Sequence, residues 1–582
     1  MAARSADLPF LRAPVGRDAH RWSTFPGERT LVVAARTLTS TIRVLEVLPA
    51  VLRGDPRVTV VFTHDPTSAF SDGSLDLLHD AGCRVMPWDQ LPHITPDLIL
   101  TASENIEVPE GDCPVLVLPH GVGFQKYVPD SRSPHSRLSG VVPDALLEAG
   151  RAWTAVSHPE QERQLLAAHP KSAGRTLLVG DPCLDELLVS TDRRPDYRRA
   201  LGVADHQRLV LVSSTWGPTS LIGRSPGLPA RLLAGLPWDA YRVALVLHPN
   251  VWSAHGAWSV RTLQAAALDA GLLLMPPVHD WRPALVAADV VVGDHGSVTL
   301  YGGALGKPLA LAAYGEDAVP GTAGAELARL APRFDPEGPP LRQIEDVVRA
   351  HAREPERYAP VAGRAFDEPG TALARLRTAL YDLLGLAPPT AVEPSPLMLA
   401  APEDPARPVT SWVVDTCLDA EGPEGTTVSV RRIPAAVSDT ASASTSAEQD
   451  ERAGHFSHRA VLPDRERDRR LTESASVLLG SSPAPTAAAA RDWVRDALGR
   501  WPGSLLAATA LASGGCLVAL RDGRTVRVPA GDVTVDPGLV AAAVYSRLRT
   551  GGPPDDGAVD LRIGDTRARV LLLPSAALHS PS

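Results

Sequence analysis

The sequence predicts an α/β protein: two Rossmann-like parallel-sheet domains facing a cleft, then a small C-terminal α+β module. Three observations predict it. Apolar, β-branched runs alternate with helix-patterned stretches through two successive segments, as parallel sheets require. Three such runs end in short polar motifs. Val115–Leu118 leads into Pro119-His120-Gly121, Val243–Leu247 into His248-Pro249, and Val290–Val292 into Gly293-Asp294-His295-Gly296-Ser297-Val298-Thr299. Ligands of open α/β sheets bind outside the carboxyl ends of strands, where all three motifs fall. Finally, beyond a Pro-rich linker at 385–408 the alternation gives way to hairpin patterns.

Residues 1–27 read as an N-terminal extension and 28–188 as the first domain. Thr30–Ala35 is its first buried strand, followed by a polar turn at Thr37–Thr41 and a helix from Ile42 to Leu52. Arg57–Thr63, Arg84–Met86, Leu98–Thr101, Val115–Leu118, Ala152–Val156 and Thr176–Val179 are further strands. Helices are expected at Ser74–Ala81, ending at Gly82, and at Pro159–Ala168. The second domain spans 206–384, with strands at Leu209–Ser213, Tyr241–Leu247, Leu272–Met275, Val290–Gly293 and Pro308–Ala312. Its last helix, 370–384, is expected to return to the first domain. In the module at 409–582, Ser411–Val414 and Thr426–Arg432 read as strands, and Thr486–Leu498 and Val540–Leu548 as helices. Hairpins are expected around Asp522-Gly523 and Gly564-Asp565. Ser/Thr/Ala/Glu-rich 438–454 reads as a disordered insert.

A chain of 582 residues with 44% hydrophobic residues can bury several cores. The net charge of −10 and the absence of a basic cluster argue against nucleic acid as a partner. The five cysteines form no CxxC pair, so the expectation is reduced structural thiols and no metal. Charges are scattered through Met1–Trp22, with no apolar signal core, and no run reaches the ~18 apolar residues of a spanning helix. The expected location is cytoplasmic, including the inner membrane surface. GxGxxG, Walker and GxSxG motifs are absent, so no resident cofactor is expected.

The motif residues suit group transfer. Histidine titrates near neutrality, so His120 is a candidate base for an acceptor hydroxyl and His248 a candidate donor to a phosphoryl oxygen. A strand cap and a buried structural histidine are the competing readings. Asp294, Gly296, Ser297, Val298 and Thr299 open a helix whose free amides suit a diphosphate, or whose serine is a simple N-cap. Ser213, Ser214 and Thr215, with Trp216, could touch phosphate or form a plain polar loop. Arg43, Gly121 and Lys126 are placed on the acceptor side, although a surface position is the stronger reading of Arg43.

Together, His120-Gly121, His248-Pro249, Asp294…Ser297-Val298 and Gly306-Lys307-Pro308-Leu309 resemble the signature of bacterial CDP-glycerol glycerophosphotransferases, the teichoic-acid-type family, over residues 30–384. Gly180-Asp181-Pro182…Asp185 and Glu368-Pro369-Gly370-Thr371 resemble family elements more loosely. The resemblance implies a GT-B fold and a nucleotide-diphosphate-linked donor. It also implies transfer of a polyol-phosphate or glycosyl group to a hydroxyl or phosphate acceptor, free or lipid-linked, as in cell-surface polymer synthesis. Asp280-Trp281 would then lie on the loop nearest the nucleotide base. Two departures stand out: Val122-Gly123-Phe124 intervene before Lys126, and His295-Gly296 replaces an aromatic-Ser pair. A UDP-sugar 2-epimerase-like enzyme and a non-catalytic GT-B descendant serving as a nucleotide-binding scaffold are the alternatives.

Overall fold

The computed structural model describes residues 24–25, 27–129, 135–390, 393–403, 406–422, 425–438, 454–530, 536–555, 557–564 and 566–575. The N-terminal extension and the insert at 438–454 lie almost wholly outside the described residues.

The first domain contains β1 (Arg29–Ala35), β2 (Val58–His64), β3 (Val85–Pro87), β4 (Leu98–Thr101), β5 (Val115–Val117), β6 (Tyr127–Pro129), β7 (Ser136–Leu138), β8 (Ala152–Val156) and β9 (Thr176–Leu178). Seven of these form one parallel sheet, ordered β3-β2-β1-β4-β5-β8-β9, while β6 and β7 pair as a small antiparallel ribbon. Leu31–Ala35 is buried on both faces, which accounts for its unbroken apolar run. The helix after β1 starts earlier than expected, spanning Leu38–Val51. Thr37 is its N-cap: the Thr37 and Ser40 side chains each accept from the other's backbone amide. What reads as a polar turn is therefore a capping box and the first helical turn.

The second domain holds β10 (Arg208–Ser214), β11 (Tyr241–Leu247), β12 (Leu273–Leu274), β13 (Val290–Gly293) and β14 (Leu309–Leu311). Their order is β12-β11-β10-β13-β14, again parallel. Strand order reverses between β1 and β4 and between β10 and β13, the positions where such sheets open a crevice. The architecture is GT-B-like. The helix Ala372–Leu384 returns to the first domain, where Leu373, Leu376, Leu380, Tyr381 and Leu384 share a core with Leu31, Val33, Leu100 and Leu116. Asp185 fixes the start of that helix by accepting from the amides of Gly370 and Ala372. The two loosely family-like elements thus meet in one hydrogen-bonded joint.

The C-terminal region is the expected α+β module, with its strands closed into a barrel. It comprises β15 (Ser411–Gly422), β16 (Gly425–Pro434), β17 (His455–Val461), β18 (Val477–Leu479), β19 (Leu506–Ala510), β20 (Cys516–Leu520), β21 (Thr525–Val528), β22 (Gly557–Ile563) and β23 (Thr566–Ser575). These close into a barrel, β15-β16-β22-β23-β21-β20-β19-β18-β17. Both expected hairpins are present, but parallel pairings of β16 with β22, β17 with β18 and β18 with β19 complete the ring. The helix Pro537–Arg549 is buried on every side from Gly538 to Arg547 and packs on the inward residues Val414, Val428, Val518 and Val559.

The barrel is fastened to the second domain. Buried Arg432 pairs with Asp239, and its Nη1 is 2.7 Å from Asp536. The linker is also anchored. Leu399 is 6% exposed and lies in the core with Leu187, Tyr197 and Ala287. Its amide donates to Ser190 Oγ at 2.9 Å, and its carbonyl accepts from the Tyr197 hydroxyl at 2.8 Å. A Pro-rich composition here makes an ordered strap across the segment joining the two domains. Leu399→Ala should cost about 3 kcal/mol, as for a truncated core leucine. Urea unfolding followed by tryptophan fluorescence checks this; an unchanged midpoint would show that the strap is not part of the core.

Candidate active site

His120 stands just beyond β5. Its Nδ1 lies 3.1 Å from the Ala102 carbonyl, which can only accept, so Nδ1 carries the proton. In the neutral ring Nε2 is then an unprotonated acceptor. Glu104 is buried beside this histidine and ion-pairs with Arg137 at 3.0 Å. Arg137 and His120 help hold its carboxyl below the ordinary value despite burial.

His248 stands at the end of β11 in the opposite arrangement. Its Nδ1 accepts from the Asn250 amide at 3.1 Å and caps the helix Pro249–Leu263, with Pro249 in the first turn. The neutral ring must therefore carry its proton on Nε2 and is a donor there. Burial, with the nearby charges of His120 and Lys126, pushes His248 down to about 3. His158-Pro159 builds the same cap in the first domain, so this dipeptide serves helix initiation at both places.

The β13 motif divides its work. Asp294 is buried and accepts from the amides of Thr215 (2.9 Å), Leu221 (2.9 Å) and Gly296 (3.0 Å). Ser214 Oγ is 3.4 Å away and itself receives the Ile222 amide. Ser214, Thr215 and Asp294 are thus occupied in organising two loops. Ser213 is buried near the end of β10. Thr299 Oγ1 is turned towards Gly293, where an added Cβ would meet it at 2.2 Å, and Val298 packs on the core. The Asp294 carboxylate is fully engaged by the three amides, whereas Thr299 Oγ1 is buried without a hydrogen-bond partner among the described residues. Gly296, not Ser297, is the N-cap of the helix Ser297–Ala304, and it has no side chain to cap with. The amides of the first helical turn at Ser297 and Val298 are left for an anion.

Ser297 joins the two domains. Its Oγ accepts from the Val122 amide at 3.1 Å, and a Cβ on Gly121 would lie 2.8 Å from it. The seam continues along 125–127. Gln125 O accepts from Val319 N (3.0 Å), Gln125 Oε1 from Gly324 N (2.9 Å), and Asp317 O from Tyr127 N (2.7 Å). Lys126 donates to the Trp216 carbonyl at 2.8 Å and lies 3.1 Å from Asp317. It also sits 4.6 Å from the centre of the Trp216 ring, which packs on Phe70 and His248. Asp317 is further approached by His295 Nε2 (3.1 Å) and Thr219 Oγ1 (2.8 Å), and these partners with Lys126 lower its carboxyl strongly.

Arg43 is neither on the surface nor beside these groups. It is 7% exposed, 3.8 Å from Glu46, in a buried interdomain cluster with Asp181, Glu186, Arg282 and Tyr301. Tyr301 donates to Asp181 at 2.7 Å, and Arg282 reaches Glu46 at 3.0 Å and also pairs with Glu186. Against burial, His279, Arg282 and Arg43 together lower the Glu46 carboxyl, whereas burial raises Glu186 to about 7. Asp280 and Trp281 border this cluster, Trp281 packing on Tyr301.

The structure thus brings together His120, Gly121, Lys126, His248, Gly296 and Ser297, and removes Arg43. Sequence reasoning missed Glu104, Asp317 and the Arg282–Glu186 pair. No local spacing marks them, because each gains its role from a partner in a distant segment. Among the described residues, no cluster of three His, Cys, Asp or Glu could hold a metal, and no helix is long and apolar enough to cross a membrane.

No protein-family model matches the chain, and no curated protein does. Solved structures similar to it include the wall teichoic acid polymerase TagF, with TM-score 0.39 and 11% identity over 62% of this chain and 88% of that one. The UDP-GlcNAc 2-epimerase of Neisseria meningitidis bound to UDP-GlcNAc gives 0.39 and 15%, covering 61% and 99%. A glycosyltransferase of Rickettsia africae ESF-5 gives 0.36 and 12%, covering 62% and 100%.

The Glu186 environment gives a pH signature. Its raised value means that the folded protein holds the proton more tightly than the unfolded chain. Stability from this group is complete below the ordinary value of 4.5 and is lost as pH rises through about 7. Glu186→Gln should flatten the fall in melting temperature between those pH values. An unaltered slope in the variant would refute the assignment.

Proposed function

We propose that the chain is a GT-B-type transferase. It moves a polyol-phosphate or glycosyl group from a nucleotide-diphosphate donor to a hydroxyl or phosphate acceptor, free or lipid-linked, at the cytoplasmic side of the membrane. The supporting observation is the pair of strand-end histidines with opposite tautomers: His120 pinned by a carbonyl, His248 by an amide. For a hydroxyl acceptor, His120 Nε2 takes the proton as the oxygen attacks phosphorus or the anomeric carbon of the donor. The bond to the nucleotide phosphate breaks, and charge develops on the departing phosphate oxygen. His248 Nε2–H and the amides at Ser297 and Val298 supply donors to that oxygen. Gly121 and Gly296 let the backbones of the two walls approach.

The 2-epimerase-like reading needs free carboxylates in the cleft, yet Glu104 is paired with Arg137 and Asp317 with Lys126. The scaffold reading predicts nucleotide binding without turnover. Incubation with CDP- and UDP-linked donors, with CMP, CDP and UDP release followed by chromatography, separates these. Release is expected with one donor class, raised by an acceptor. His120→Ala should lower turnover roughly 10²–10⁴-fold, the usual contribution of a general base, with nucleotide-induced thermal stabilisation kept. Full activity in that variant would remove His120 from the mechanism, and stabilisation without any release would favour the scaffold.

A further inference from the structure

A polar cavity opens between the two Rossmann-like domains at the edge of the Gln125 seam. Its volume is about 280 Å³, and its lining includes Gln125, Glu160, Gln161, Arg163, Thr322 and Arg364. The helix Pro159–Ala168 of the first domain forms one wall. The loop 320–322 and the start of the helix Ala323–Leu330 in the second domain form the other. Gln125 is shared with the narrow space beside Gly296 and Ser297.

Free donors outnumber free acceptors in this cavity. The main-chain amides of Gly321, Thr322 and Ala323 donate no hydrogen bond among the described residues, although Thr322 and Ala323 are buried. Buried amides are nearly always paired. The next two amides are satisfied, Gly324 by Gln125 Oε1 at 2.9 Å and Ala325 by Thr322 Oγ1 at 3.2 Å. The helix thus turns an uncompensated positive end to the cavity. Gln161, on the facing wall, is 2% exposed. Its Oε1 accepts from the Ser157 amide at 2.8 Å, and its Nε2 has no partner among the described residues. Arg163 donates no hydrogen bond among the described residues, and its acidic neighbour Glu160, at 3.6 Å, is held more closely by Arg364 at 2.8 Å. Arg364 also pairs with Glu326 and donates to the Gly321 carbonyl at 3.1 Å. Glu160 is therefore occupied, while Arg163, Gln161 Nε2 and the three amides are left without acceptors.

We propose that this interdomain cavity is a binding site for a phosphoryl group, held by the amides of Gly321, Thr322 and Ala323, by Gln161 Nε2 and by the Arg163 guanidinium. Phosphoryl oxygens are acceptors only, which suits a helix start and an arginine fork on facing walls. A ligand spanning the walls would tie the helix Pro159–Ala168 to the loop 320–322 and so brace the two domains at the rim of the cleft. The inference goes beyond the transferase reading and does not rest on it. Free phosphate and the phosphate of a polyol ester share this chemistry.

The test is calorimetric titration of the full chain at low salt with orthophosphate and, separately, glycerol 1-phosphate, with glycerol as the uncharged control. Wild type should bind at least one phosphate probe and not glycerol. Arg163→Gln removes the guanidinium. Ala323→Pro removes one amide at the first helical position, where proline is favoured and Thr322 already has the extended ψ of 166° that must precede it. Each should weaken binding about tenfold, the loss of one charge-assisted hydrogen bond. Gln161→Glu keeps the acceptor for the Ser157 amide but exchanges the donor for a negative charge, and should abolish binding. Nucleotide-induced stabilisation should be unchanged in all three. Whichever phosphate probe binds more tightly tells a free phosphate from a phosphate ester, and either supports the site. Absence of binding, glycerol binding as tightly, or unaltered affinity in any folded variant would overturn it, since phosphate held only at Ser297 and Val298 is indifferent to these substitutions. Arg163 is exposed, so its variant remains informative if a buried change fails to fold.

Discussion

The second domain's wall of the cleft depends on one buried carboxylate. Withdrawing an ionised Asp294 from water is costly unless every oxygen is hydrogen-bonded. Here three amides, from Thr215, Leu221 and Gly296, converge on it. They come from the loops after β10 and β13, adjacent strands at the point where sheet order reverses. The carboxylate therefore sets the position of Trp216 in one loop and of the uncapped Ser297 helix in the other. Burial raises its pKa while the amides oppose that rise, a balance that favours an organising role over contact with an anionic ligand.

From that anchor the first domain is registered by short bonds. Ser297 takes the Val122 amide, Lys126 takes the Trp216 carbonyl, and Gln125 bonds on both its main chain and side chain. Gly121 is needed because Ser297 occupies the space that a Cβ would fill. The result places His120 and His248 on facing walls, each with one ring nitrogen committed to the backbone. A backbone partner is a firmer tautomer control than a side chain, since it cannot rotate away or titrate.

Much of this was legible in the sequence because it is local. Buried parallel strands read as apolar runs, and β4, β8, β11 and β13 begin and end at the expected residues. The histidines and glycines at strand ends are local features too. Arg43 was not legible: its helix positions it, but Glu46, Arg282, Asp181 and Tyr301, three of them far along the chain, decide that it is buried. Barrel closure was hidden for the same reason. A hairpin declares itself by its turn, whereas β16 pairs in parallel with β22 across more than a hundred residues. The all-round apolar stretch Leu539–Val544 did carry a signal, since a helix without a polar face must be enclosed.

Linker composition misled in a more instructive way. Proline and alanine remove donors and shorten side chains, so such a segment contributes little on its own and reads as a spacer. Leu399 changes that, because a single leucine inserted beside Tyr197, with both of its backbone polar groups paired, anchors the segments around it. The strap crosses the connection between the Rossmann-like domains, and Arg407 and Arg432 then tie its far side to Asp269 and Asp239. Cleft geometry is consequently shared between three bodies. The Glu46 cluster and the Gln125 seam hold the two walls from within, and the strap and barrel hold them from behind. Any motion that parts His120 from His248 must work against both sets of contacts, so the barrel belongs to the mechanics of the cleft even though it contributes no group to it.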